Sequence, residues 1–427
     1  MTETSTITAA HDYELLRASN LHLDLTRGKP SPAQLDLSNA LLSLPGEGDY
    51  RDAAGTDLRN YGGTDGVPEL RAIFAELLAV PADQLLALGN ASLEIMHDNL
   101  VFALLHGVPG GTAPWRGSAD GAGGAGNTKS IAFLCPTPGY DRHFAMCAAL
   151  GIRMIPVPLK NNALDLDTVR SLVALDPSIR GMWIVPTHAN PSGTTLTEAE
   201  VQQLVSMPTA ASDFRLLWDN AYAVHHLSDD EPQAIDVLGL ASAAGHADRP
   251  LVFASTSKIT LPGNGIAFFA ASPTNIAWFK KHSAFQTIGP DKINQLRHVR
   301  FLKSAAGVRE HMRAQREVVG PRFALALKIL EQRLTGVATW SKPTGGYFIS
   351  LTVGDGVAAR AIALAAEIGV ALTPAGSAFP YGKDPRDCII RIAPTFPTLD
   401  DLDRAINALC TCVLLATEQR ATNQLGK

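Results

Sequence analysis

Polar residues able to do chemistry recur at one kind of position in this sequence, just past the carboxyl end of a short apolar run. Residues 131–135 lead into Pro136-Thr137-Pro138-Gly139-Tyr140, and residues 182–186 into His188-Ala189-Asn190-Pro191-Ser192-Gly193. Residues 216–218 lead into Asp219-Asn220-Ala221-Tyr222, and residues 251–254 into Ser255-Thr256-Ser257-Lys258. Taken singly, each has an ordinary explanation. A lysine after a strand is usually solvated, an aspartate there usually caps a turn or helix, and Tyr140 and Asn190 stand in turns made by their Pro and Gly neighbours. If the runs are parallel strands, however, these residues meet on one edge, because open α/β sheets bind ligands at the carboxyl ends of their strands.

An aromatic ring, an amide, a carboxylate with a nearby phenol and a lysine among hydroxyls match the needs of pyridoxal 5′-phosphate. Its aldehyde requires a lysine for a Schiff base, and its ring nitrogen requires an anion that keeps the pyridinium proton. The 3′-oxygen needs hydrogen-bond donors, the ring an aromatic face, and the phosphate a helix N-terminus with hydroxyls. Lys258 is therefore assigned to the Schiff base, Asp219 to the ring nitrogen, Asn190 and Tyr222 to the 3′-oxygen, and Tyr140 to stacking. Ala91 and Ser92, opening an amphipathic run at 93–105, join Ser255 and Ser257 around the phosphate.

The elements that must position these groups are legible as a pattern. From about residue 85 to 275 short apolar runs alternate with helical patterns, which implies βαβ units in a mostly parallel sheet covered by helices on both faces. Residues 154–158 and 266–271 are further strands, and 164–175 and 197–206 are helices with acidic first turns. Beyond residue 300 an Arg-rich helical region precedes strand candidates at 346–352 and 388–392. The expected organisation is a large α/β domain at 56–300, a smaller α+β domain at 301–427, and an N-terminal segment, 1–55, that joins the smaller one. The glycine-rich insertion 107–130 has no periodicity and reads as a mobile surface loop. Its Gly121, Gly123 and Gly126 spell G-x-G-x-x-G, but the run precedes a strand instead of following one and opening a helix, so the dinucleotide reading fails.

Composition excludes several function classes. With 36 Lys+Arg against 41 Asp+Glu the net charge is −5, a poor match to nucleic acid. No apolar run approaches the roughly 18 residues that cross a bilayer, and the first thirty residues lack a cationic start followed by an apolar core. Five cysteines, an odd number, read as thiols in a reduced cytoplasm. His225-His226 lacks H-E-x-x-H spacing, so no metal is expected.

In chain order the sequence carries Thr26-Arg27-Gly28-Lys29-Pro30, Asn60-Tyr61-Gly62-Gly63 with Glu69-Leu70-Arg71, and Pro138-Gly139-Tyr140-Asp141-Arg142-His143. Then come Asn190-Pro191-Ser192-Gly193, Asp219-Asn220-Ala221-Tyr222, Ser255-Thr256-Ser257-Lys258 and Arg391-Ile392-Ala393-Pro394. With these motifs the chain resembles the class I aminotransferases of PLP fold type I, and is most similar to the bacterial aspartate aminotransferase subgroup Ic. The resemblance implies transfer of an amino group between an L-amino acid, first L-aspartate or L-glutamate, and a 2-oxoacid by ping-pong kinetics. It implies a homodimer with sites at the subunit interface, where Tyr61 would reach the phosphate of the neighbouring subunit's cofactor while Gly28 and Arg391 contact substrate. Arg391 points the same way by itself: a guanidinium in the apolar run 388–392 needs a planar anion, and an α-carboxylate supplies one.

One departure matters. Many class I members have a phosphate-neutralising arginine shortly after the lysine, whereas no Arg occurs here between Lys258 and Pro290. That leaves the phosphate to hydroxyls and a helix dipole, and a distal substrate carboxylate to Arg27 or Lys29. Rival readings are aromatic or aliphatic donors, a C–S lyase on the same fold, and a non-catalytic PLP-binding sensor. The stretch before Tyr61 is too short and too weakly basic for the DNA-binding module of such a sensor. Ser255 to Lys258 also satisfies the S-x-x-K of serine hydrolases, but S-D-N and K-T-G are absent.

Overall fold

The computed structural model describes residues 9–116 and 131–425. Its strands, in chain order, are Leu23–Asp24 (β1), Leu85–Ala87 (β2), Ala132–Thr137 (β3), Arg153–Pro158 (β4), Ile179–Ile184 (β5) and Arg215–Asp219 (β6). Pro250–Ser255 (β7), Ala267–Ala271 (β8), Thr339–Trp340 (β9), Ile349–Thr352 (β10), Val370–Ala371 (β11) and Ile389–Ile392 (β12) follow. Seven of them form one sheet in the order β2-β8-β7-β6-β5-β3-β4. Only β8 opposes its neighbours, pairing antiparallel with both β2 and β7. The carboxyl ends of β3, β5, β6 and β7 therefore lie side by side on one rim.

The central strands are apolar on both faces because both faces are covered. Ala132 and Leu134 belong to one apolar cluster with Leu216, Trp218, Val252 and Ala254, whereas Phe133 and Cys135 belong to another with Leu217, Leu251 and Phe253. Successive side chains of a strand point to opposite faces, which produces this split. The expected run at 182–186 is corrected to Ile179–Ile184. Arg180 and Gly181 break the apolar texture in sequence, yet Gly181 is what the sheet needs there. A Cβ on it would fall into the Phe133 ring of the adjacent strand.

A third apolar cluster joins Tyr13, Leu21, Leu23 and Leu25 to Leu330, Ile349, Ile390 and Ile406. It is built on the antiparallel sheet β12-β10-β9, the parallel pair β1-β11 and the long helices Ala305–Leu334 and Leu399–Leu425. Helix starts follow local chemistry: Thr197 and Glu200 make a reciprocal capping box before Glu198–Ser206, and Asp165 accepts from Thr168 N at the start of Leu166–Leu175.

The glycine-rich insertion needs a partial correction. Gly121, Gly123 and Gly126 lie outside the described residues, but residues 107–116 are fastened down. Trp115 is buried and donates to Asp213 Oδ2 at 2.9 Å, and Trp278 Nε1 donates to Gly107 O at 3.0 Å. A buried indole with a satisfied N–H anchors a segment whose composition reads as mobile.

Candidate functional site

Where the strand ends converge there is a cavity of about 210 Å³. Ala91, Ser92, Tyr140, Asn190, Asp219, Tyr222, Ser255, Ser257 and Lys258 line it together with Gly28 and Phe348. The residues assigned from β3, β5, β6 and β7 thus reach one place because their strands are neighbours. Ser92 opens the helix Ser92–His106, with Ala91 as its N-cap. Ser255 Oγ donates to Ser257 Oγ at 3.1 Å.

Lys258 is half-buried, with its Nζ 5.0 Å from the Tyr222 ring centroid. Burial holds its pKa below the ordinary lysine value, and the charge of Asp219 only partly opposes this. The phenols move the other way. Burial, with Asp219 next, pushes Tyr140 up to about 12, and burial raises Tyr222 well above the usual phenol range. Both phenols are hydrogen-bond donors at neutral pH. The Lys258 carbonyl is held from behind by His225 Nε2 at 3.2 Å, and Tyr347 donates to it at 3.5 Å. Burial, then the Lys258 charge, takes His225 down to about 3, so this imidazole is neutral.

Asp219 accepts from His143 Nε2 on Oδ2 at 3.0 Å, and its Oδ1 has no partner. Asn190 likewise leaves its Oδ1 buried and unpartnered. Buried polar atoms without partners are rare and costly, and these two belong to residues that line the same cavity. His143 itself is sandwiched: its ring stacks on Trp183 at 4.0 Å and 6°, and the Tyr140 ring meets its edge at 5.0 Å.

Four assigned residues, Arg391, Arg27, Lys29 and Tyr61, do not line the cavity. Arg391 sits in β12 with its guanidinium over the Phe348 ring at 5.0 Å, Nη1 on Asp141 Oδ1 at 3.2 Å and Nη2 on Thr373 Oγ1 at 3.1 Å. Arg27 is paired with Asp24 and stands over the Phe396 ring at 5.4 Å, beside Lys29 at 4.7 Å. Tyr61 is 83% exposed on a loop whose carbonyls, Asn60 O and Gly62 O, accept from buried Lys292.

Residues 2–425 match the aspartate amino-transferase family. The chain belongs to that family. An aspartate aminotransferase of Corynebacterium glutamicum is 46% identical over 413 residues, covering 96% of this chain and 93% of its own. A protein of Mycolicibacterium smegmatis is 57% identical over 412 residues, covering 96% of this chain and 94% of its own. The solved aspartate transaminase of Corynebacterium glutamicum superposes with a TM-score of 0.92 at 45% identity, over 96% of this chain and 95% of that one. At 19% identity and a TM-score of 0.73, a Thermus thermophilus α-aminoadipate aminotransferase complexed with N-(5′-phosphopyridoxyl)-L-leucine shares the fold over 96% of both chains. The protein is an aminotransferase with the mostly parallel sheet of PLP fold type I.

Within this aminotransferase, sequence reasoning passed over His143, Phe348 and Asp141. His143 carried a usable signal: it lies three residues after Tyr140 on the helix Asp141–Ala149, where i and i+3 share a face. Phe348 is the residue before β10, in the other sheet, and carries none.

Proposed function

We propose that the chain holds pyridoxal 5′-phosphate at Lys258 and moves an amino group between L-aspartate or L-glutamate and a 2-oxoacid. The observation that carries this reading is the bare acceptor Asp219 Oδ1 facing the cavity that Lys258 also lines. Asp219 Oδ1 suits a pyridinium N–H, while the Asn190 amide and the Tyr222 phenol suit the ring's 3′-oxygen. The N-terminus of Ser92–His106, with Ser92, Ser255 and Ser257, suits a phosphate without an arginine. When bound, the cofactor supplies the electron sink for breaking the substrate Cα–H bond.

The chain's own residues do the rest. A lysine whose pKa is lowered by burial has a larger unprotonated fraction near neutrality, so Lys258 Nζ can take the α-proton and return it. Asp219 keeps the ring nitrogen protonated, and His143, on its other oxygen, fixes the carboxylate's direction. Arg391 orients the substrate through its α-carboxylate, and the Tyr140 ring covers the cofactor face. Arg27 or Lys29 takes a distal carboxylate.

The reading includes a homodimer in a reduced cytoplasm. Tyr61, Phe285 and Ile288 are 83%, 90% and 63% exposed, and their loops touch where Gly289 packs against Gly62 O. Exposed apolar clusters of this kind suit a second copy of the chain. All five cysteines are buried and free, and no described helix is long and apolar enough to cross a membrane.

The test has two parts. Borohydride treatment of the loaded protein should add the phosphopyridoxyl mass to the wild type and not to Lys258→Ala, whose turnover should fall below about a tenth of wild type by far. A panel of amino donors with 2-oxoglutarate should rank L-aspartate first. If L-aspartate with 2-oxoglutarate and L-glutamate with oxaloacetate are both inert while aromatic or aliphatic donors react, the substrate assignment is wrong.

A further inference from the structure

Arg391 is a buried cation that already carries an anion of its own chain. Its side chain is 10% exposed, Nη1 reaches Asp141 Oδ1, Nη2 reaches Thr373 Oγ1, and Nε has no partner. The fork read above as the α-carboxylate clamp is therefore half filled before any substrate arrives. Asp141 is in a different position from its partner. Its side chain is 34% exposed, and it is the first residue of the helix Asp141–Ala149. Free N–H groups and the positive helix end stabilise a carboxylate there with or without the guanidinium.

We propose that Asp141 is a resident counter-ion, holding the Arg391 guanidinium while the site is empty and yielding it to the substrate's α-carboxylate. The proposal rests on the reading of Arg391 as that clamp. A buried guanidinium stripped of every anion is costly, and its other neighbours, the Thr373 hydroxyl and the Phe348 ring, are neutral. Two carboxylates on one fork repel each other. The partner that leaves is the one with water and a helix N-terminus to go to, so Asp141 turns out and Arg391 stays. Every acid that docks must first displace this internal acid. The exchange lowers affinity for all carboxylate ligands, product included, and keeps the site from exposing a naked cation between turnovers.

The test uses the loaded enzyme and maleate, a dicarboxylate that cannot react, titrated by the change in visible absorbance. Asp141→Asn should bind maleate at least about fivefold more tightly than wild type, since the competing charge is gone. Without maleate the same variant should melt below wild type, and saturating maleate should restore it. Asp141→Ser, which keeps a small polar group at the helix start, should behave alike and guards against a folding defect in one variant. Equal or weaker maleate binding by both variants overturns the proposal and makes Asp141 a plain positioning residue. Arg391→Ala separates the two ideas: it should lose maleate binding. If it binds maleate as wild type does, the reading of Arg391 fails and the counter-ion proposal falls with it.

Discussion

Strand β6 carries a buried arginine at its amino end and a buried aspartate at its carboxyl end, and the two are treated differently. Arg215 donates to Phe214 O at 3.3 Å and to Pro109 O, and the charges of Asp248 and Asp213 partly offset the burial that brings its pKa down to about 10. On the adjacent strand side, Arg249 Nη1 reaches the carbonyls of Leu204, Val205 and Met207 at 3.3, 2.7 and 2.9 Å. At the other end Asp219 meets one side chain, His143, and keeps an oxygen bare. Arg215 Nε is bare as well, so an orphan atom alone does not mark a site. What separates the ends is that Asp219 faces a cavity, whereas Arg215 is closed in by the protein's own backbone. One end of the strand is tied into the fold, and the other opens on the cavity proposed to take the cofactor.

Exchanging the losses at the two ends is the strongest way to break that contrast. Asp219→Asn keeps the shape and removes the charge; its kcat/KM should fall by a factor on the order of 10³, with little change in melting temperature. Arg215→Met should do the reverse, costing about 3 kcal/mol of unfolding free energy in urea while kcat stays within about twofold of wild type. An Asp219→Asn variant that melts early but still turns over, or a stable and inactive Arg215→Met, would show that the two ends do not divide the labour.

A smaller effect should sharpen the contrast at the ligand end. His143→Leu leaves Asp219 with no partner on Oδ2, so the carboxylate loses its fixed direction without losing its charge. Turnover should drop about 10- to 100-fold, and the pH at which the loaded enzyme changes its visible absorbance should move. An unchanged absorbance pH profile would assign His143 to packing against Trp183 only.

The ligand end was readable from sequence to a degree that the structural end was not. Short apolar strands buried on both faces announce themselves, and once they are laid parallel, Tyr140, Asn190, Asp219, Tyr222 and Lys258 must share a rim. Ser92 was readable because an amphipathic helix follows it. His143 was hidden since a histidine on a helix face has many structural fates, and its use depends on which strand faces it across the sheet. Phe348 and the Asp141–Arg391 pair require the antiparallel sheet to be docked onto the large one, which no local pattern encodes. At the opposite rim, Trp115 and Arg215 meet across 100 residues of chain through Asp213 and Pro109. The glycine texture around Trp115 argued for mobility, and a single buried indole overrode it for residues 107–116. Strand β2, three residues long, is too brief to carry a period.

The smallest expected effect concerns acid. His188 and His225 lie under the ligand end, and burial takes both from the ordinary 6.5 to about 3, helped by the charge of His226 on the first and of Lys258 on the second. Between those values the unfolded chain binds protons that the folded chain refuses. Stability contributed by their neutral forms is therefore complete above pH 6.5 and is lost as pH falls towards 3, at a slope of about 1 kcal/mol per pH unit for each histidine. His225→Gln retains a side-chain N–H for the Lys258 carbonyl and removes one titrating group. Its unfolding free energy should consequently fall less than that of wild type between pH 6.5 and pH 4.5, by about the amount one histidine supplies. The arginines of the opposite rim stay charged throughout that window, so Arg215→Met should start from a lower stability and keep the full acid slope. Parallel curves for wild type and His225→Gln would mean that the acid sensitivity originates elsewhere. A flattened curve for Arg215→Met would place it at the rim away from the cavity.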